Sequence, residues 1–185
     1  VERMNLQELL TERQAAIAQG WLDRVLQTYP EQTRRFLGAE SDPFANPVGQ
    51  ALRKGITGLT DGLVRGARPD ELAPVLEEVV KIRAVQGGNT SCAMGFIFLV
   101  KPAVRAELEG IVAPADLWAF DEQIDDLALL AFSIYLQCRE KLYEIRVGEV
   151  QNRVGRLLKK AGMMAPDDDD EPVLPQNHCS GCNPK

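Results

Sequence analysis

The sequence predicts an all-α protein: an irregular helical bundle with a long C-terminal helix and a flexible acidic tail. Three observations carry that expectation. Apolar residues recur every three or four positions along most of the chain. After Pro114 no proline interrupts the run to Ala161, and only Gly148 and Gly155 punctuate it. The one nearly uniform apolar run, Thr90 to Val100, has no second strand-like run to pair with.

The first helix is expected from about Leu6 to Thr28, with Leu6, Leu10, Ile17, Trp21 and Val25 on one face. Pro30 ends it and starts a short second helix, because a proline's missing N–H costs nothing in a first turn. Gly38 closes that piece. Asp42–Pro47 (DPFANP) is a stiff connector in which Asn46 is suited to cap a third helix with Pro47 as its first residue. Val48, Leu52, Ile56, Leu59 and Leu63 stripe that helix, and Gly49, Gly55, Gly58 and Gly62 recur along it. Each glycine weakens a helix interior by roughly 1 kcal/mol, so close backbone packing against a neighbour is the expected compensation.

A fourth helix, capped by Asp70, buries Leu72, Val75, Leu76, Val79 and Ile82 and stops at Gly87-Gly88. Thr90 to Val100 is expected to be helical with Ser91 as its cap. Pro102 then kinks it or begins a piece ending near Gly110. From Pro114 to Ala161 a single helix would reach about 70 Å at 1.5 Å per residue. It is therefore expected either to break near Asp121 or Gly148, or to project and pack on another chain, with dimerisation the favoured outcome. Residues 1–165 form the helical domain. Residues 166–185 form a proline-punctuated tail expected to be disordered.

The 185 residues include 21 Lys and Arg and 27 Asp and Glu, a formal charge of −6. Residues 166–185 hold five of the acids (Asp167 to Asp170 and Glu171) and one lysine, which leaves 20 basic and 22 acidic side chains in residues 1–165. A near-neutral body without a basic stripe argues against nucleic acid as a partner. The longest apolar run, Cys92 to Val100, is about half the roughly 20 residues a membrane span needs, and no signal-peptide pattern opens the sequence. A cytoplasmic protein without membrane insertion is expected.

Catalytic constellations are sparse. There is no GxSxG elbow, no GxxxxGK[ST] and no GxGxxG after a strand. Residues 1–165 contain no histidine, which removes histidine acid–base catalysis and a proximal haem ligand. Asp121, Glu122, Asp125 and Asp126 cluster on the long helix. Paired carboxylates of that kind can hold a metal, but di-iron bundles also draw on Glu-x-x-His. A solvated face, or an ion pair with Arg83, Lys101 or Arg139, is the expectation. Gly87-Gly88-Asn89 could cradle an anion at the next helix, though a helix stop accounts for it more simply. Phe96, Phe98 and Phe132 could roof a small-molecule pocket, but aromatics on a helix are more often core. Cys92 and Cys138 lie on apolar stretches and are expected to be small buried hydrophobes.

His178-Cys179-Ser180-Gly181-Cys182 is the sharpest local motif. A CxxC pair supplies two thiolates on one turn, half of many zinc sites, and the adjacent imidazole could add a third ligand. No second CxxC exists to complete a tetrahedral site. The motif is read three ways: an incidental thiol pair, a site for zinc or another metal shared with a partner, or a thiol switch.

Four ordered segments, Asp42–Pro47, Ile82–Gln86 (IRAVQ), Gly95–Lys101 (GFIFLVK) and Ala131–Glu140 (AFSIYLQCRE), resemble the RsbRD N-terminal domain family over roughly residues 5–150. The family is named for stressosome co-antagonists, in which a sensory module precedes a STAS domain. The resemblance implies a globin-like helical fold without haem, dimerisation through terminal helices and a non-enzymatic regulatory or sensory role. No STAS domain lies within these residues, so kinase antagonism is not carried over and a stand-alone member is expected. Members with a similar body and cysteine tail resemble proteins of sulfate reducers encoded near a membrane-bound sulfite-reduction electron-transfer complex. An accessory role in such a redox complex, docking through the CxxC tail, is the alternative expectation.

Overall fold

Two glycines of the third predicted helix, Gly55 and Gly62, have the closest neighbours of any described glycine. The computed structural model describes residues 5–38, 45–86 and 90–163. Among them eight α-helices and no strand occur: α1 Leu6–Glu12, α2 Gln14–Gln27, α3 Glu31–Gly38, α4 Pro47–Val64, α5 Pro69–Val85, α6 Thr90–Met94, α7 Val100–Leu108 and α8 Trp118–Lys160. Two 3₁₀ turns, Ile97–Leu99 and Pro114–Leu117, precede α7 and α8. None of the described helices is long and apolar enough to cross a membrane. The all-α class and the long C-terminal helix are as the sequence predicts.

α4 lies against α5, and the glycines make this possible. A Cβ at Gly55 would stand 2.2 Å from Val79 Cγ2, and one at Gly62 would stand 2.1 Å from Leu72 Cδ2. Knobs from α5 thus occupy the space that side chains on α4 would fill at Gly55 and Gly62, with Val75 beside Gly58, the compensation expected for helix-weakening residues, while Gly49 is closed in by Asn46 and the Leu37 carbonyl. Asn46 caps α4 as expected: its Oδ1 accepts from the Gly49 N–H at 2.9 Å. The same buried side chain donates through Nδ2 to the carbonyls of Phe36 and Leu37. Arg53 donates to the Gly38 carbonyl at 2.6 Å, so the open end of α3 is closed by residues of α4. At its far end α4 terminates on Gly66 at φ +71°, with Ala67 N–H returning to the Gly62 carbonyl and Gly66 N–H to that of Leu63.

Three boundaries differ from the sequence reading. The helix expected over 6–28 divides at Arg13, whose φ of −96° and ψ of 5° fall outside helical values. Two adjacent leucines point about 100° apart on one straight helix. The turn at Arg13 sets α1 against α4 and buries both Leu9 and Leu10. Asp70 does not cap α5. Pro69 takes the first helical position, where its fixed φ fits, so Arg68 is the cap and Asp70 lies one residue inside. Thr90 to Val100 is not one helix capped by Ser91. Ser91 lies within α6, its carbonyl accepts from Gly95 N–H at 2.8 Å, and a new helix begins at Val100. That start places Pro102 in a first turn, where no carbonyl awaits its missing N–H. Of the two outcomes expected for the last helix, the unbroken one holds: α8 is continuous over 43 residues, through Asp121 and Gly148.

The chain divides into two compact units, Val1–Leu142 and Tyr143–Lys185. In the first, Trp21 of α2 is fully buried, stacks on Phe96 with ring centroids 6.4 Å apart, and donates its indole N–H to the Phe96 carbonyl at 2.7 Å. Leu52, Ile56 and Leu59 of α4, Leu76 and Val79 of α5, and Ile124 and Leu127 of α8 join the same core. In the second unit the described residues are helical to Lys160, and none of their side chains is buried. The boundary expected at residue 165 and the flexible tail beyond it lie outside the described residues.

Candidate functional site

Arg83 is the only arginine among the buried residues, with 6% of its surface exposed. Its position follows from the helix: Leu72, Leu76, Val79 and Arg83 succeed one another at intervals of four, three and four, one stripe of α5. Nε donates to the Ala93 carbonyl of α6 at 3.1 Å, and Nη1 donates to the Tyr29 hydroxyl at 2.9 Å. The guanidinium lies 5.1 Å from the Tyr29 ring centroid and 5.6 Å from that of Phe96, within cation–π range of both. The Tyr29 hydroxyl in turn donates to Gln86 Oε1 at 2.9 Å. These contacts hold the fork of Arg83 in one plane. A cleft of about 380 Å³ opens beside it, with Tyr29, Thr33, Arg83 and Gln86 as polar lining and Pro30 and Ala93 as apolar wall.

The second feature is the outer face of α8. Phe120, Ile124, Leu127, Ala131 and Tyr135 point inward, and Tyr135 meets Thr90 of α6 hydroxyl to hydroxyl at 3.3 Å. On the opposite face of the first unit Leu129, Phe132 and Leu136 are exposed. In the second unit Tyr143, Val147, Val150, Val154 and Leu157 are exposed as well. Their spacings of four, three, four and three are those of a heptad with Val147 and Val154 at one seam position and Tyr143, Val150 and Leu157 at the other. Periodicity of this kind was visible in the sequence. Val150, Val154 and Leu157 continue the three-and-four rhythm that makes packing on another chain the favoured expectation for this helix.

Asp121 and Asp125 form ion pairs rather than a metal site. Arg105 Nη2 stands 2.5 Å from Asp121 Oδ2, and Lys101 Nζ stands 2.7 Å from Asp125 Oδ1. Lys101 was an expected partner and Arg105 was not. Arg83, also expected there, instead faces Tyr29 and Ala93, because its place on the α5 stripe turns it inward. No cluster of three or more metal-ligating side chains occurs among the described residues. The three phenylalanines do not share a pocket. Phe96 is core, whereas Phe98 and Phe132 are each 45% exposed and flank a shallow apolar cleft of about 360 Å³ with Met94, Ala128 and Leu129. Cys138 is half-buried against the core. Gly87-Gly88-Asn89 and the motif of His178, Cys179 and Cys182 lie outside the described residues.

A family model described as the RsbT co-antagonist protein rsbRD N-terminal domain matches residues 15–149. No curated protein and no solved structure matches the chain. The matched span begins in α2, includes Arg83 and its cleft, and ends within α8.

Proposed function

Since the chain belongs to the family of RsbT co-antagonist protein rsbRD N-terminal domains, we propose that it is a non-enzymatic regulatory or sensory module, working in the cytoplasm through protein contacts and self-associating along α8. The observation that carries this reading is the exposed heptad of Tyr143, Val147, Val150, Val154 and Leu157. Side chains of this size cost roughly 1.5–3 kcal/mol each when left in water rather than buried. A helical stretch that buries none of its described side chains draws most of its stability from packing against something else. β-Branched Val147 and Val154 at one seam position are the residue type that two-stranded coiled coils favour there, and Leu157 is the type they favour at the other, which Tyr143 and Val150 share. A second copy supplies that partner with no further protein required.

Sedimentation equilibrium tests the reading. The expected result is a dimer for the wild-type protein and a monomer of unchanged helical circular dichroism for the double variant Val150→Glu, Leu157→Glu. A wild-type monomer at micromolar concentration would remove self-association from the proposal.

A second reading, an accessory role in a membrane-bound sulfite-reduction redox complex, draws on the CxxC motif. In it, Cys179 and Cys182, with His178 beside them, bind zinc or another metal or form a thiol pair, and Asp167–Glu171 assists docking. The two roles are compatible, one in the helical body and one in the tail.

A further inference from the structure

We infer that two copies of α8 pair in parallel, and that Arg146, Arg153 and Lys160 decide the direction. The inference rests on the self-association proposed above and adds which way the partner runs. All three bases are exposed. Arg146 and Arg153 immediately precede the seam residues Val147 and Val154, and Lys160 falls seven residues after Arg153. On an α-helix an interval of seven returns to within about 20° of the same direction, so the three line one flank of the seam. Glu144, Gln151 and Leu158 directly follow Tyr143, Val150 and Leu157 and line the other flank. One flank is thus a row of bases, and the other carries an acid, an amide and an apolar side chain.

These flanks are where a two-stranded coiled coil sets partner choice and orientation. In an antiparallel pair each flank meets its own copy. Arginine and lysine would then face arginine and lysine along the contact at every stagger, an arrangement that destabilises helix pairs. In a parallel pair the basic flank of each chain meets the mixed flank of the other. Arg146 faces the partner's Gln151. Arg153 faces the partner's Leu158, over which its aliphatic stem packs while the guanidinium stays in water. None of these pairings sets like charges together. The seam agrees, since valine at the position of Val147 and Val154 with leucine at that of Leu157 is a pattern of parallel two-stranded coils. A two-fold axis along the helices relates the copies, so the contact closes at two chains. Both chains then leave α8 at the same end.

Charge reversal in the full chain tests the direction. The triple variant Arg146→Glu, Arg153→Glu, Lys160→Glu is mixed with differently tagged wild-type chain at low ionic strength, where exposed charges are screened least. Native mass spectrometry then counts the dimers. A parallel pair is expected to give the two homodimers and the mixed dimer in the statistical ratio of about 1:2:1, because each reversed residue meets an uncharged neighbour. An antiparallel pair would set glutamate against arginine and lysine, and the mixed dimer would exceed that ratio by about tenfold or more. A second measurement needs no charge change. In a chain carrying Cys92→Ser, Cys138→Ser, Cys179→Ser and Cys182→Ser, the added variant Leu157→Cys is expected to form a disulfide-linked dimer on mild oxidation. An antiparallel pair overlapping the whole seam would hold those two sulfurs about 15 Å or more apart, beyond bonding reach. A favoured mixed dimer, or a Leu157→Cys dimer that stays unlinked, would overturn the parallel direction and leave self-association standing. A monomeric wild-type chain in the sedimentation experiment would remove both.

Discussion

Arg68 and Asp70 meet at the entrance to α5, and their pairing gives the protein a titration that can be followed at one atom. The hydrogen bond from Arg68, with the helix's own backbone N–H and the arginine's charge behind it, holds the Asp70 carboxyl below its ordinary value of 3.8. A carboxyl whose pKa is lower in the folded chain contributes stability above its unfolded pKa, and that contribution is lost as pH falls through the folded value. The side-chain carbon of Asp70 is expected to show an NMR titration midpoint below 3.8. In Arg68→Ala the midpoint should return toward that value, and a wild-type midpoint at or above it would remove the pair. At this scale the sequence was informative where local chemistry decides and silent where the fold decides. Asn46 was recognisable as a cap because the partner it satisfies is three residues away. Arg83 was not recognisable as a buried anchor, because its charge suggests a surface and its partners, Tyr29 in the turn after α2 and Ala93 in α6, come from other parts of the chain.

Helices were legible from their apolar rhythm, and their joints were not. The division at Arg13 and the three short pieces between Thr90 and Leu108 answer to neighbours that lie far away in sequence, such as α4 beneath α1 and Trp21 bonded to the Phe96 carbonyl. The glycines of α4 were the exception, since their cost alone implied a close partner. Replacing them separates helix propensity from packing. Gly55→Ala gains about 1 kcal/mol of propensity but forces a methyl onto the stiff, β-branched Val79, and a net loss of about 1–3 kcal/mol is expected. Gly155→Ala, with nothing within 4 Å of the added carbon, is expected to stabilise by up to about 1 kcal/mol. Urea denaturation of both variants checks the pair, and a Gly55→Ala protein as stable as wild type would show that Val79 swings aside.

For the whole chain, the tail and the helical body are expected to be thermodynamically separable. Under the redox-complex reading, Cys179→Ser with Cys182→Ser abolishes metal recovery with the purified protein and leaves thermal unfolding of the body unchanged. Equal metal content in the two proteins would leave the motif without a metal role. The interlock of α4 and α5 constrains how the body can respond to any signal. Shifting α5 by one position along α4 would carry Val79 and Leu72 out of the hollows at Gly55 and Gly62 and into side chains such as Lys54, Ile56 and Leu63. The two helices are geared like a rack whose teeth have no play, so they serve as the fixed frame of reference for movement elsewhere. A messenger arriving at this protein must shift its short helical pieces, not its two best-meshed rods.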